Sequence, residues 1–365
     1  MTIKHPAKKI LLIADHIGIG GIPRYCKDLV RKQSLSDAEF VMAAMVSEEQ
    51  DVQEYPPELT HPILSYGTAD IGVMERIREI INFENPDYIL TQGYKSNIMT
   101  WLASLRYRIK TPMATVQHGI LFPMHGRESI YFKADICLRR LLQIPTVAVS
   151  HDTATQLINN WKILRRLVRV LHNPLEVPSR ISKPQNKIFT IGFASRLLKE
   201  KGVLDLLEAF LMLDNKKLKL LIAGDGPLLE TLKKDVLKNR LEEKIIFEGS
   251  LDDMTSFYRK LDLFVFPSWG EGLPYVVAEA MSHGVATVAT EVGGIPELID
   301  DGVNGYLVPA QDVQALSKAI KGCMADKKSL RIVARNGRKK TAALSFDDYY
   351  RKLLLFLDTF TANTF

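Results

Sequence analysis

LDLFVFPSWGEGLPYVVAE, residues Leu261 to Glu279, holds the pattern from which the fold can be read. Its opening LDLFVFP is almost wholly apolar, as expected of a short strand buried on both faces of a parallel sheet. Ser268 to Gly272 then reads as a loop carrying Glu271. Pro274 opens a helix, because a residue without an N–H loses nothing in the first turn. Glu279 falls about one and a half turns into that helix, among Val276, Val277, Ala280 and Met281. An acid on an apolar helix face is costly unless it is paired or hydrogen-bonded. Two readings stand at this point. Both acids could face a cleft above the sheet, or Glu271 is a surface acid and Glu279 is satisfied by nearby backbone.

Outward from this stretch the same unit repeats. Lys9 to Asp15 is an apolar run ending in Gly18-Ile19-Gly20-Gly21, with a helix from Ile22. Strands follow at Phe40 to Val46, near Ile63, at Asp87 to Thr91, Met113 to Val116 and Thr146 to Val149, with helices at Ile71 to Asn82 and Ser96 to Leu105. Ser150 is placed to cap the next helix. The alternation runs to about Arg169 and meets Pro174 to Lys187, a segment of three prolines and two serines that reads as a linker. A second series opens at Ile188. The expected organisation is two Rossmann-like, doubly wound parallel-sheet α/β domains, residues 1–175 and 187–342, facing across a cleft. The tail, 343–365, carries a stripe at Tyr349, Tyr350, Leu353, Leu354, Phe356 and Leu357 that must pack on something.

Composition narrows the class. The 365 residues exceed one ordinary core, and 46% hydrophobic with 25% charged residues is normal for a soluble globular protein. No apolar run reaches the roughly 20 residues of a membrane span, and the N-terminus has no signal-like apolar region. Cys26, Cys137 and Cys323 are odd in number and far apart, which fits a reducing, cytoplasmic setting and gives no metal spacing. The net charge of +6 is partly local, in Arg106, Arg108 and Lys110 and in Lys162, Arg165, Arg166 and Arg169. Both runs have apolar neighbours. They are either solvated helix faces or contacts for anionic lipid or an acidic ligand. No nucleic-acid module is present.

Other candidate residues close the strands. Gly20 and Gly21 could offer backbone N–H groups to an anion at a helix N-terminus, with Arg24 as an added cation or an ordinary surface residue. Pro23 stands where a dinucleotide fingerprint needs its third glycine, which disfavours an oxidoreductase. Arg196 and Lys201, in SRLLKEKG, put a forked and a point cation at the end of a strand, suited to a diphosphate or simply a basic loop. His118 ends a strand as a cleft donor or as a satisfied structural residue. No P-loop, zinc spacing, G-x-S-x-G or HExxH occurs. Asp252-Asp253 and Asp300-Asp301 read as loop or cap residues.

Taken in order, these pieces resemble glycosyltransferase family 4, retaining nucleotide-sugar transferases of the GT-B fold. Glu271 and Glu279 match its E-x7-E signature within FPSWGEGLPYVVAEAMSHGVATVATEVGGIPELIDDGVNGYLVP. FASRLLKEKG, LLIAGDGPLLETL, GIGGIPR, VQHG and HNPLE match its other loops. The resemblance implies that Arg196 and Lys201 neutralise the diphosphate and that Glu279 binds the ribose hydroxyls. Glu271 would face the donor sugar, with Leu273, Pro274, Tyr275 and Val276 meeting sugar and phosphate through backbone. His118 and the Gly20-Gly21 loop would close the site from the first domain, and the tail helix would cross back onto that domain. E-G-L-P replaces the family's usual E-G-F-G, so contacts at Leu273 and Pro274 would shift.

The implied reaction retains anomeric configuration without a metal or other cofactor, moving a hexose-type sugar from a UDP- or GDP-sugar to a glycan or lipid-linked acceptor. Polysaccharide biosynthesis in the cytoplasm, at the inner membrane face, fits that chemistry. A non-catalytic nucleotide- or glycan-binding protein, or an epimerase or phosphorylase of the same architecture, is the alternative.

Overall fold

The computed structural model describes residues 8–18, 20–46, 55–64, 71–119, 127–181, 188–213, 217–251 and 253–361. The chain divides into two compact units, one holding the chain up to Pro174 and again from Phe346, the other Leu175–Ser345. The expected breaks were 175/187 and 342/343. From Leu175 on, the described part of the proline-bearing segment, through Ile181, belongs to the C-terminal unit, where Leu175 N–H donates to Leu344 O at 2.6 Å.

The N-terminal unit starts with β1 (Lys8–Ala14), α1 (Gly21–Arg31), β2 (Ala38–Val46), β3 (Leu59–Leu64) and α2 (Ile71–Glu84). It continues through β4 (Tyr88–Gln92), α3 (Tyr94–Tyr107), β5 (Met113–Gln117), α4 (Arg127–Leu141), β6 (Thr146–Ala148), α5 (His151–Thr155) and β7 (Val168–Val170). Its seven strands lie in the order β3-β2-β1-β4-β5-β6-β7, with every ladder parallel. The central strands are buried along nearly their whole length, which is why β1 reads as an apolar run from Ile10 to Ala14, whereas β4 closes on the buried polar pair Thr91 and Gln92. Ser150 caps α5, its Oγ accepting from Thr153 N–H at 3.1 Å.

The C-terminal unit has β8 (Phe189–Ala194), α6 (Val203–Leu211), β9 (Leu218–Ala223), α7 (Leu229–Lys238), β10 (Ile245–Gly249) and α8 (Met254–Arg259). After them come β11 (Leu263–Phe266), α9 (Tyr275–Ser282), β12 (Ala286–Thr290), α10 (Ile295–Leu298), β13 (Tyr306–Val308), α11 (Val313–Ala325) and α12 (Lys327–Thr341). Its parallel sheet runs β10-β9-β8-β11-β12-β13. Asp253 caps α8 by accepting from Thr255 N–H at 2.8 Å, while Asp252 lies outside the described residues. Asp300 accepts from Lys340 Nζ at 2.8 Å and Asp301 from Leu307 N–H at 2.9 Å, so both are loop residues.

The apolar tail is α13 (Phe346–Thr361), and it packs on the N-terminal unit. Phe346, Tyr349, Tyr350, Leu353, Phe356 and Leu357 form one buried face at helical spacing. Tyr350 Oη donates to Leu29 O at 2.8 Å and its ring lies 5.3 Å from that of Phe40. Asp358 pairs with Lys8 and accepts from Tyr88 Oη at 2.5 Å.

Candidate active site

In a doubly wound sheet, ligands collect outside the carboxyl ends of the strands where the winding reverses. In the C-terminal unit that crevice lies between β8 and β11. Two of the expected residues meet there. Lys201, on the 3₁₀ turn after β8, donates to Glu271 Oε1 on the loop after β11 at 2.6 Å. Ser268 Oγ donates to the same oxygen at 2.8 Å. Both side chains are only 11% exposed. A buried ion pair is expensive to assemble, and breaking one side leaves an uncompensated charge.

The scaffold around this pair tolerates little change. Gly202 has φ +69°, and a Cβ there would sit 1.9 Å from Pro267 O. Gly293 has φ +54°, and its Cβ would sit 1.8 Å from Glu271 O. Only glycine lets both backbones approach the loop so closely. Trp269 ties the loops further, its N–H donating to Glu200 O at 2.8 Å and its indole N–H to Asp205 Oδ2 at 2.7 Å. Arg196, by contrast, is exposed on the segment that follows β8.

Glu279 does not join the Lys201–Glu271 pair. It is 5% exposed on α9 and accepts from Tyr258 Oη at 3.0 Å. The Tyr258 ring is fully buried and lies 4.9 Å from that of His283, whose Nδ1 is 2.8 Å from Glu279 O. Burial lowers the His283 pKa. Tyr258 is a residue that the sequence reading missed, because a tyrosine on a short helix carries no motif. Pro274 is the N-cap of α9, Leu273 and Pro274 are buried, and Tyr275 and Val276 are half-buried in its first turn.

The N-terminal unit gathers a second set at the carboxyl edge of its own sheet. His118 follows β5 and shares a hydrogen bond with Gln92 Oε1 at 2.7 Å. The Tyr25 ring meets it edge-on at 5.0 Å, and the Tyr25 hydroxyl pairs with that of Tyr349. Desolvation pushes the pKa of the half-buried His118 down to about 3, which favours the neutral imidazole. Gly20 is the N-cap of α1 and Gly21 its first residue, while Ile19 lies outside the described residues. Arg24 pairs with Asp28 at 2.6 Å.

Two polar groups here were not legible in the sequence. Asp15 at the end of β1 accepts from Ser96 N–H at 2.6 Å and Lys95 N–H at 3.2 Å, capping α3. Burial raises its pKa. Beneath His118, Gln117 Nε2 donates to Gly119 O at 2.7 Å and Gln117 Oε1 accepts from Arg139 Nη2 at 3.1 Å. Arg139 pairs with Asp135, and both are fully buried on α4. Burial pushes the Asp135 carboxyl up to about 6 against the pull of Arg139.

Residues 19–177 match the family model "Glycosyltransferase Family 4", and residues 188–326 match "Glycosyl transferases group 1". An uncharacterized glycosyltransferase of Methanocaldococcus jannaschii is 26% identical over 90% of this chain and 92% of its own. A lipopolysaccharide core biosynthesis mannosyltransferase of Rhizobium meliloti is 37% identical, over 30% of this chain and 32% of its own. Among solved structures, Anabaena HepE in complex with UDP-glucose superposes with a TM-score of 0.80, at 21% identity, over 96% of this chain and 99% of that one.

Proposed function

Since the chain belongs to glycosyltransferase family 4 and has its GT-B pair of parallel-sheet units, we propose that this glycosyltransferase moves a hexose-type sugar from a UDP- or GDP-sugar, with retention, to a hydroxyl of a glycan or lipid-linked acceptor in polysaccharide biosynthesis. The observation that carries this reading is the Lys201–Glu271 pair in the crevice between β8 and β11. An ammonium has three donors, so Lys201 can hold Glu271 and still offer N–H groups to a diphosphate. Both described hydrogen bonds to the Glu271 carboxylate fall on Oε1, so Oε2 can accept from a sugar hydroxyl. Arg196 adds a second, solvent-facing cation for the leaving group. Charge developing on the departing diphosphate would be met electrostatically by this pair of cations without a metal. The acceptor hydroxyl attacks on the leaving-group face and passes its proton to the departing phosphate, so neither glutamate serves as a conventional base. The N-terminal unit receives the acceptor, with neutral His118 and the Gly20–Gly21 turn as its hydrogen-bonding groups. HepE, crystallised with UDP and UDP-glucose, supports a nucleoside-diphosphate sugar as donor. Among the described residues no helix is long and apolar enough to cross a membrane, and we assign the enzyme to the cytoplasmic membrane face as a peripheral protein.

A thermal-shift panel of UDP, GDP and their sugars, followed by product analysis with and without a chelator, tests this. A cognate donor at 100 times its Kd should stabilise by about 2.7 kcal/mol. Sugar transfer that survives chelation is expected. Tight nucleotide binding with no turnover would establish a binding protein instead, and a nucleotide carrying an isomerised sugar would establish an epimerase.

Glu279 is assigned to the ribose hydroxyls, and its orientation depends on Tyr258. Tyr258→Phe removes a buried donor to a carboxylate, a loss of about 1.5–3 kcal/mol when fully expressed. Nucleotide Kd, measured calorimetrically, should rise by roughly tenfold or more, while kcat at saturating donor changes much less. An unchanged Kd would remove Tyr258 from this role.

A further inference from the structure

A run of buried polar side chains joins α3, α4 and β5 inside the N-terminal unit. Thr115 Oγ1 donates to Asn97 Oδ1 at 3.0 Å, and Asn97 Nδ2 donates to Asp135 Oδ1 at 3.0 Å. Asp135 pairs with Arg139, whose Nη2 donates to Gln117 Oε1 at 3.1 Å. Gln117 Nε2 then donates to Gly119 O at 2.7 Å. Each of the five side-chain partners, Thr115, Asn97, Asp135, Arg139 and Gln117, is at most 4% exposed. Neither amide can be turned over. Arginine only donates and a carboxylate only accepts, so Asn97 must present its nitrogen to Asp135 and Gln117 its oxygen to Arg139. The Gln117 nitrogen is thereby left for the Gly119 carbonyl.

Stability does not account for this run. Apolar side chains of similar volume often stabilise a core as well as a buried ion pair, or better. This pair also leaves orphans, since Arg139 Nε and Nη1 are buried with no hydrogen-bond acceptor among the described residues. Such a donor keeps its full desolvation penalty. What the run delivers is a contact at the carboxyl edge of the sheet. Gly119 has φ +134°, a conformation that other residues rarely adopt, and it has no side chain by which its surroundings could hold it. Its carbonyl is the handle, and Gln117 holds it. His118 lies between these two residues, with Nε2 on Gln92 Oε1 at 2.7 Å and its ring 5.0 Å from that of Tyr25. Tying residue 117 to residue 119 fixes the backbone from which that imidazole projects.

We propose that Asp135 and Arg139 are positioning residues for sugar transfer, acting through Gln117 on the turn that presents His118. The action is indirect. Asn97 and Asp135 orient the guanidinium, the guanidinium orients the Gln117 amide, and the amide sets the direction of the Gly119 carbonyl. Loss of any link frees the amide to turn. The purpose of the run rests on the reading of His118 as an acceptor-side group, whereas the positioning itself is independent of turnover.

Two variants of the full chain cut the run at different links. Gln117→Met removes the last one. Asn97→Leu with Asp135→Leu and Arg139→Met replaces the buried source by apolar side chains, and this triple variant should keep or raise the urea midpoint. Isotope-labelled histidine rings read the outcome by NMR without any acceptor. The His118 Cε1–H signal, assigned by its absence in His118→Gln, should shift or broaden in both variants. Lys133→Gln, on the exposed side of α4, should leave it in place. Transfer is then measured to octyl glucoside from saturating UDP-glucose or GDP-mannose, whichever the thermal-shift panel selects. In both variants kcat/KM for the glucoside should fall by on the order of 100-fold, the scale of a displacement of about 1 Å, with the donor Kd unchanged. An unmoved His118 signal, a triple variant that unfolds at markedly lower urea, or undiminished transfer by variants whose signal has moved while His118→Gln is impaired would each overturn the proposal. Full transfer by His118→Gln would instead mark a failure of the acceptor-side reading, with the ring signal still deciding whether the run positions that turn.

Discussion

Lys201→Met is expected to lower kcat by about two to three orders of magnitude, the usual cost of removing one preorganised group that meets developing charge. The measurement is single-turnover transfer at saturating donor. Two effects coincide in this variant. The diphosphate loses its inner cation, and Glu271 loses the ammonium 2.6 Å from its Oε1. The second effect also costs stability. Removing one partner of a fully buried pair costs about 3–5 kcal/mol, and here both side chains keep 11% exposure, which places the expected loss at the lower end or below. A double-mutant cycle with Glu271→Gln separates the two effects, because contacting residues are not additive. The double variant should recover most of the stability and none of the rate. A Lys201→Met enzyme within a few-fold of wild type would remove Lys201 from the mechanism, whatever its stability. Arg196→Ala should give a smaller loss, since its solvent-facing charge is screened more strongly.

Glu271, Glu279, Arg196 and Lys201 were each legible in the sequence, because each sits at the end of an apolar strand or in the helix after it, where loop chemistry follows from position. Their sorting was not. Lys201 and Glu271 lie 70 positions apart, and only the adjacency of β8 and β11 joins them, while Glu279 turns away to Tyr258. Strand positions were readable because central parallel strands are apolar on both faces. Helix α4 was not, since its buried side carries Asp135 and Arg139 and its exposed side carries Ile130 and Leu141. Those four positions break the amphipathic pattern by which helices are recognised, although Phe132 and Ile136 on the buried side and Lys133 and Arg140 on the exposed side keep it. The buried Asp135 and Arg139 are also what hid the polar support of Gln117 beside His118. Asp15 escaped for a related reason, because a terminal strand acid looks solvated until the backbone N–H groups of Lys95 and Ser96 are seen to meet it.

Ending the chain at Ser345 should abolish stable folding of the N-terminal unit while leaving the C-terminal unit intact. The deletion removes α13 and with it the buried side chains of Phe346, Tyr349, Tyr350, Leu353, Phe356 and Leu357. At about 1.5–3 kcal/mol for each buried apolar side chain, the loss is comparable to or larger than the roughly 5–15 kcal/mol that a domain has in total. It also uncovers Leu29 O and the Tyr25 hydroxyl, which Tyr350 and Tyr349 satisfy. Point variants grade the effect. Tyr350→Phe forfeits one hydrogen bond, about 1 kcal/mol, and Tyr350→Ala leaves a cavity worth about 3–5 kcal/mol. Urea unfolding with limited proteolysis reads both, the truncated protein being cut throughout the N-terminal unit and protected across Leu175–Ser345. Arg196, Lys201, Glu271 and Glu279 all lie in that surviving unit. The truncated chain should therefore still bind nucleotide and fail to transfer sugar. Full transfer by the truncated enzyme, or loss of nucleotide binding with the C-terminal unit still protected, would show that donor recognition does not reside in that unit alone.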